Sequence, residues 1–209
     1  SSGFKGIFLV ASNPVDLMAY VVYKSSGFPS SKVIGSGTAL DTARLRYLIG
    51  EYLKVSSKNV HAYIMGEHGD SSFVAWSHCY IGCKKITDIL TDKNISFSQL
   101  DNIYEGVQQA AYEIINRKKA TYYGIGMALT KIVKSILENE NAITPISTYL
   151  NGEYNHEGMF IGVPALINKN GVREILELKL EKEEQEKFDK SCEVLQRTLK
   201  ENIDIIINE

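Results

Sequence analysis

Ile7-Phe8-Leu9-Val10-Ala11 is apolar at every position and is bounded by Gly6 and by Ser12-Asn13-Pro14. Successive side chains of a strand point to opposite faces, so a strand with one wet face alternates apolar and polar residues. An unbroken run implies burial on both faces, as in a parallel sheet covered by helices. Crossovers between parallel strands are right-handed, and the segments that follow can supply only part of the cover this strand needs. The start of the chain therefore reads as the end of a larger parallel sheet.

The segments that follow alternate. Asn13 reads as a helix cap with Pro14 at the first helical position, and the helix stops near Gly27, with Pro29 beyond. Val33-Ile34 reads as a short strand, Gly35 to Thr38 as a tight turn, and residues 41–53 as a helix with Leu45, Leu48, Ile49, Tyr52 and Leu53 as its apolar face. One strand is expected over 59–65 and an extended segment over 73–81. Helices are expected over 99–117, with Ile103, Val107, Ala110, Ala111 and Ile114 as the core stripe, and over 121–137. Residues 143–149, 159–168 and 172–178 read as an antiparallel meander, with Asn170-Gly171 as a hairpin signal. A last helix over 181–206 carries Phe188, Cys192, Leu195, Leu199 and Ile203 on one face. The fold class expected is α/β: the end of a Rossmann-type parallel sheet over 1–35, then an α+β domain with antiparallel strands and long helices over 36–209.

Composition excludes several functions. With 209 residues, 44% hydrophobic and 23% charged, the chain is long enough for a real core and has an ordinary globular balance. A net charge of -2, with no basic cluster interleaved with aromatics, argues against nucleic acid. The apolar runs are too short to span a bilayer, and no secretory signal opens the chain. Three cysteines suggest no disulfide framework and fit a reducing, cytoplasmic setting. Cys79 and Cys83 near His78 match no common zinc spacing, so buried thiols and no metal are expected.

The chemistry concentrates in two segments. Gly66-Glu67-His68-Gly69-Asp70 follows an apolar run. A histidine between glycines at a strand end is poorly placed for core packing and well placed to meet a ligand. Asp41 and Arg44 lie three apart on a predicted helix and share a face, whether as a local salt bridge or as site residues. Arg46 points roughly the opposite way, which suggests a separate task. A carboxylate beside a histidine stabilises the imidazolium and fixes its tautomer, and arginine orients a substrate carboxylate through paired hydrogen bonds. These groups together suit oxo-acid/hydroxy-acid interconversion.

Ser12-Asn13-Pro14-Val15-Asp16, Val33 to Thr38, Leu40-Asp41-Thr42-Ala43-Arg44 and Gly66 to Asp70, taken in order, resemble the L-lactate dehydrogenase family, bacterial members most closely. Asp16 and the Asp-Thr-Ala-Arg order favour the lactate branch over the malate-specific one. The resemblance implies His68 as the acid/base, Asp41 as its partner and Arg44 as the clamp on the substrate carboxylate. It implies Asn13 on the substrate carbonyl oxygen, Thr121 in the pocket for the substrate methyl, Ala11 and Ser12 along the nicotinamide, and Ser36 on its carboxamide. Arg46 and His61 fall where relatives hold the phosphates of fructose 1,6-bisphosphate. The implied reaction is NADH-dependent reduction of pyruvate to L-lactate, the last step of anaerobic glycolysis, in a homo-oligomer, typically a tetramer.

A dinucleotide site needs a strand, then G-x-G-x-x-G opening a helix, then an acidic residue about 20 positions on. Gly35-Ser36-Gly37 and Gly124-Ile125-Gly126 lack the third glycine. The chain is therefore expected to be a C-terminal fragment, inactive alone, with the NAD-binding half upstream. The rival readings are a dehydrogenase for a bulkier 2-hydroxy acid and a non-catalytic oligomerisation remnant.

Overall fold

A computed structural model describes residues 3–118 and 122–207, and the side chains of 3–110 and 122–202. Strand β1 (Phe8–Val10) leads to helix α1 (Val15–Ser26), strand β2 (Val33–Gly35) and helix α2 (Ala39–Leu53). Short strands follow: β3 (Val60–His61), β4 (Ile64–Met65), β5 (Phe73–Val74), β6 (Tyr80–Ile81) and β7 (Lys84–Lys85). Helices α3 (Ile86–Asp92), α4 (Ser98–Lys118) and α5 (Tyr123–Leu137) precede the long strands β8 (Ala142–Asn151) and β9 (Glu157–Asn168), then β10 (Gly171–Ile175) and helix α6 (Lys182–Ile207).

The central sheet runs β1-β2-β8-β9-β10. Only β1 and β2 are parallel; β2 meets β8 antiparallel at Gly35 and Ser147, and β8, β9 and β10 form the expected meander. The expected parallel end and antiparallel region are thus one continuous sheet. Its two faces carry separate cores. Phe8, Val10 and Val33 pack with α1 and α6, while Ile7, Leu9 and Ile34 pack with Ile132 of α5. The opening apolar run does serve both faces. As the outermost strand, however, it buries only Val10 fully, and Ala11 is exposed. A third core unites α2, α3 and α4 through Leu45, Ile49, Leu90 and Val107.

Several expectations are corrected. Asn13 does not cap α1: Pro14, extended at ψ 116°, is the capping residue, and its carbonyl accepts the first helical bond, from Met18 N–H at 2.9 Å. The helix ends as expected at a left-handed Gly27. Helix α2 begins two residues earlier than expected, and Tyr52 of its supposed apolar face is exposed. The single strand expected over 59–65 is broken, because β3 pairs with β6 whereas β4 pairs with β5. The segment 73–81 is likewise interrupted by a 3-10 turn at Trp76–His78. Strand β7 and helix α3 were not foreseen; Lys84 and Lys85 carry no apolar signal, and α3 buries only Ile86 and Leu90. Cys79 and Cys192 are buried thiols as expected, but Cys83 is exposed. The side chains of Ala111, Ile114 and Ile203 lie outside the described residues. No described helix is long and apolar enough to cross a membrane.

Candidate active site

The site is built where β4 ends. Gly66 leaves the strand at φ +97°, a conformation that favours glycine, and a Cβ there would lie 2.7 Å from Ser191 Oγ. The loop beyond is fastened by its backbone amides, each to a different element. Gly66 N–H donates to Gly162 O of β9 at 2.9 Å, and Glu67 N–H to Ser191 Oγ of α6 at 2.7 Å. His68 N–H donates to Asp16 Oδ2 of α1 at 2.8 Å. Ser71 Oγ, which donates to Glu67 Oε2 at 2.5 Å, also lies 3.0 Å from Ser191 Oγ. A loop held this way offers its side chain in one orientation.

That side chain meets Asp41. His68 Nδ1 lies 3.0 Å from Asp41 Oδ2, and Arg44 Nη1 lies 3.3 Å from Asp41 Oδ1. One carboxylate thus joins the imidazole to the guanidinium. The shared face expected for Asp41 and Arg44 is real, and the approach of His68, which spacing could not supply, is made by the β4 loop. Nδ1 is occupied by Asp41, so Nε2 is the atom able to exchange a proton. The hydrogen bond to Asp41 raises the His68 pKa above its ordinary value; burial opposes this, the charges of Asp41 and Asp16 add to it, and Arg44 subtracts. Gly124, at the start of α5, leaves room beside this group: a Cβ there would stand 3.2 Å from Leu40 and 3.8 Å from Arg44 Nη2.

Ala11, Ser12 and Asn13 are exposed just past the carboxyl end of β1, and the buried Ser36 ties to the same edge through Ser36 N–H to Val10 O at 2.8 Å. Ligands of open α/β sheets bind in the crevice outside the carboxyl ends of the parallel strands. Ala11, Ser12 and Asn13 are thus placed where such a ligand would lie, with Ser36 buried behind them. The phosphates of a dinucleotide have no cradle among the described residues: Gly37 is pressed against the backbone of Ile146 and Ser147, so the Gly35-Ser36-Gly37 turn serves packing. Thr121 lies outside the described residues.

Arg46 faces away from His68, as expected. Its Nε donates to Ala62 O at 3.0 Å and its guanidinium lies 5.0 Å from the centre of the Tyr63 ring. Arg46 and His61 line one cleft of about 750 Å³ with Lys58, Lys131 and Lys134, and no acidic residue among the described residues lines it. Arg46 Nη2 is buried with no hydrogen-bond partner. Among the described residues no group of metal-ligating side chains gathers.

Sequence reasoning missed the support of the loop. Ser191 and Ser147 give no local signal, because their partners lie more than 100 positions away; Asp16 was read as a mark of the lactate branch and not as an anchor of His68.

Comparison with known proteins points to one family. Residues 38–206 match the family described as lactate/malate dehydrogenase, alpha/beta C-terminal domain. The chain is 54% identical over 200 residues to L-lactate dehydrogenase 2 of Bacillus anthracis, and 52% identical over 200 residues to L-lactate dehydrogenase 1 of Bacillus cereus. Each alignment covers 95% of this chain but only 63% of the relative. Among solved structures, a lactate dehydrogenase from a Medee basin deep-sea metagenome library superposes with a TM-score of 0.93 at 55% identity, covering 95% of this chain and 64% of that one. The minor L-lactate dehydrogenase of Enterococcus mundtii, in its ligands-bound form, gives 0.93 at 50% identity with the same coverage of 95% and 64%. On the matched length, the identity and the shared fold, this chain belongs to the lactate/malate dehydrogenase family.

Proposed function

We propose that this chain carries the proton-transfer and carboxylate-binding part of an L-lactate dehydrogenase that interconverts pyruvate and L-lactate. The observation that carries the reading is the 3.0 Å contact of His68 Nδ1 with Asp41, whose other oxygen meets Arg44. Arg44 pairs with the substrate carboxylate through two parallel hydrogen bonds, which fix orientation as well as charge. His68 passes its Nε2 proton to the carbonyl oxygen as that oxygen becomes a hydroxyl, and recovers it in the reverse direction. Asp41 holds the tautomer and steadies the imidazolium. Asn13 orients the carbonyl oxygen, and the resemblance assigns Thr121 to the substrate methyl. Ala11, Ser12 and Ser36 border the nicotinamide of NAD, which supplies the hydride when bound. The phosphate cradle comes from a nucleotide-binding half, of which residues 1–35 form the final part, with 36–209 as the substrate domain.

The test is pyruvate-dependent loss of NADH absorbance, by this chain alone and by this chain joined to the nucleotide-binding half of the Bacillus anthracis relative. The joined protein is expected to turn over and the chain alone is not. Turnover by the chain alone would overturn the account of the cofactor site. A folded joined protein without turnover would overturn the proton-transfer reading. Faster reduction of a bulkier 2-oxo acid than of pyruvate would move the assignment to another 2-hydroxyacid dehydrogenase.

The cleft around Arg46 and His61 supports a second element of the same reading: activation by fructose 1,6-bisphosphate in a cytoplasmic homotetramer. Arg46, with one guanidinium nitrogen lacking a protein partner, joins Lys58, Lys131 and Lys134 in bringing positive charge to a cleft whose remaining described lining is largely apolar, which suits an anionic phosphate. In the joined protein Arg46→Leu is expected to abolish the response to the bisphosphate while leaving basal turnover within about twofold. An undiminished response would remove the effector site from this cleft.

A further inference from the structure

His68 is held by two carboxylates from two elements. Asp41 of α2 meets its ring, and Asp16 of α1 meets its backbone. Asp16 is 4% exposed, and its Oδ1 accepts a 2.5 Å hydrogen bond from Ser147 Oγ of β8. Burying a carboxylate is unfavourable unless its surroundings reward the charge. Both carboxylate oxygens accept, Oδ1 from Ser147 and Oδ2 from the His68 amide, and both hydrogen bonds favour the charged form. Ser147 contributes no charge. Two ionisable groups, His68 and Glu67, interact with Asp16 electrostatically, and of these His68 is the one a negative charge favours. We propose that Asp16 is a positioning residue of the proton-transfer site: its buried carboxylate fixes the His68 backbone and, with Asp41, sets the charge state of the imidazole.

This inference rests on the proton-transfer role of His68. The charges facing His68 are Asp41 and Arg44 from α2 and Asp16 from α1, while Asp16 itself also faces Glu67 of the loop. Burial pushes the Asp16 pKa up to about 6, against the pull of Ser147, of the His68 amide and of the His68 charge. Asp16 thus titrates closer to the histidine range than an ordinary aspartate, and the charge of each group bears on the titration of the other.

The experiment is an NMR titration of this chain, labelled with carbon-13 at histidine Cε1 and aspartate Cγ, as wild type and as Asp16→Asn. Asparagine keeps an acceptor for the His68 N–H and removes the charge, and its NH2 then faces Ser147 Oγ, which can accept as well as donate. In the wild type the His68 and Asp16 signals are each expected to show a second inflection at the other's midpoint. In Asp16→Asn the His68 midpoint is expected to fall by at least about half a pH unit, with one inflection. A purely structural Asp16 would alter melting and leave that midpoint in place. An unmoved His68 midpoint in folded Asp16→Asn overturns the proposal. Should that variant not fold, the wild-type titration decides, and a single inflection for His68 overturns the proposal. Absence of pyruvate turnover in the joined protein is a separate failure, since neither titration depends on substrate.

Discussion

At neutral pH the buried carboxylate of Asp16 works against folding. Its folded pKa of about 6 lies above the ordinary 3.8, so the folded chain binds that proton more readily than the unfolded chain. The destabilisation is full above pH about 6, shrinks as acid is added, and is gone below the ordinary value. A shift of roughly two units corresponds to about 3 kcal/mol. Asp16→Asn is therefore expected to melt several degrees higher than wild type at pH 7.5, with the gain gone near pH 3.5; a lower melting temperature at pH 7.5 would contradict this sign. His68 acts oppositely. Its raised pKa gives stability that is present below the ordinary 6.5 and lost as pH rises through the raised value. Asp41→Asn in the joined protein should lower the His68 midpoint and reduce turnover by about 10²-fold or more; an unchanged rate would remove Asp41 from the reaction. At this scale the sequence was legible where signals are local. A histidine between glycines and an Asp/Arg pair three apart announce themselves. Asp16 does not, since its partners sit 52 and 131 positions away.

Elements were legible in proportion to how much their own periodicity decides them. The long helices α4 and α6 and the meander β8-β9-β10 fall within a few residues of expectation, because amphipathic spacing and Asn-Gly turns act locally. The apolar run ending at Met65 deceived. Hydrophobicity indicates burial but not the partner, and this run changes partner around Ala62 and Tyr63, where Tyr63 O accepts from Ala75 N–H at 3.1 Å. The helix start at Asn13-Pro14 carried a familiar signal that the backbone reads one residue later. The loop between β4 and β5 depends on α6 rather than on its own sequence. Ser191→Ala removes the acceptor of the half-buried Glu67 N–H and is expected to destabilise by about 1 kcal/mol in a urea melt. In the joined protein it should also lower kcat more than it raises KM for pyruvate, because the loop that aims His68 loosens while Arg44 stays in place. Wild-type stability in Ser191→Ala would show that the loop is held by its other anchors alone.

For the molecule as a whole, α2 separates two kinds of chemistry. One side presents Asp41 and Arg44 to His68; the other turns Arg46 to Ala62 and the cationic cleft. The sequence disclosed this division through the two-residue offset of the arginines, but the cleft itself needs α5 and β8, which arrive from distant segments. Coverage of the relatives adds a matching fact: 95% of this chain aligns to 63% of an L-lactate dehydrogenase, and the glycine-rich phosphate turn is absent from the sequence.

The hydrogen bond between Glu67 and Ser191 spans 124 positions. A ribosome releases the amino end first, so the histidine loop emerges long before the serine that will hold it. Until α6 leaves the exit tunnel, the Glu67 amide has only water to bond, and the loop samples many shapes. The nascent chain thus cannot fix this loop early, and its shape is set only when α6 closes over residues made more than a hundred codons before.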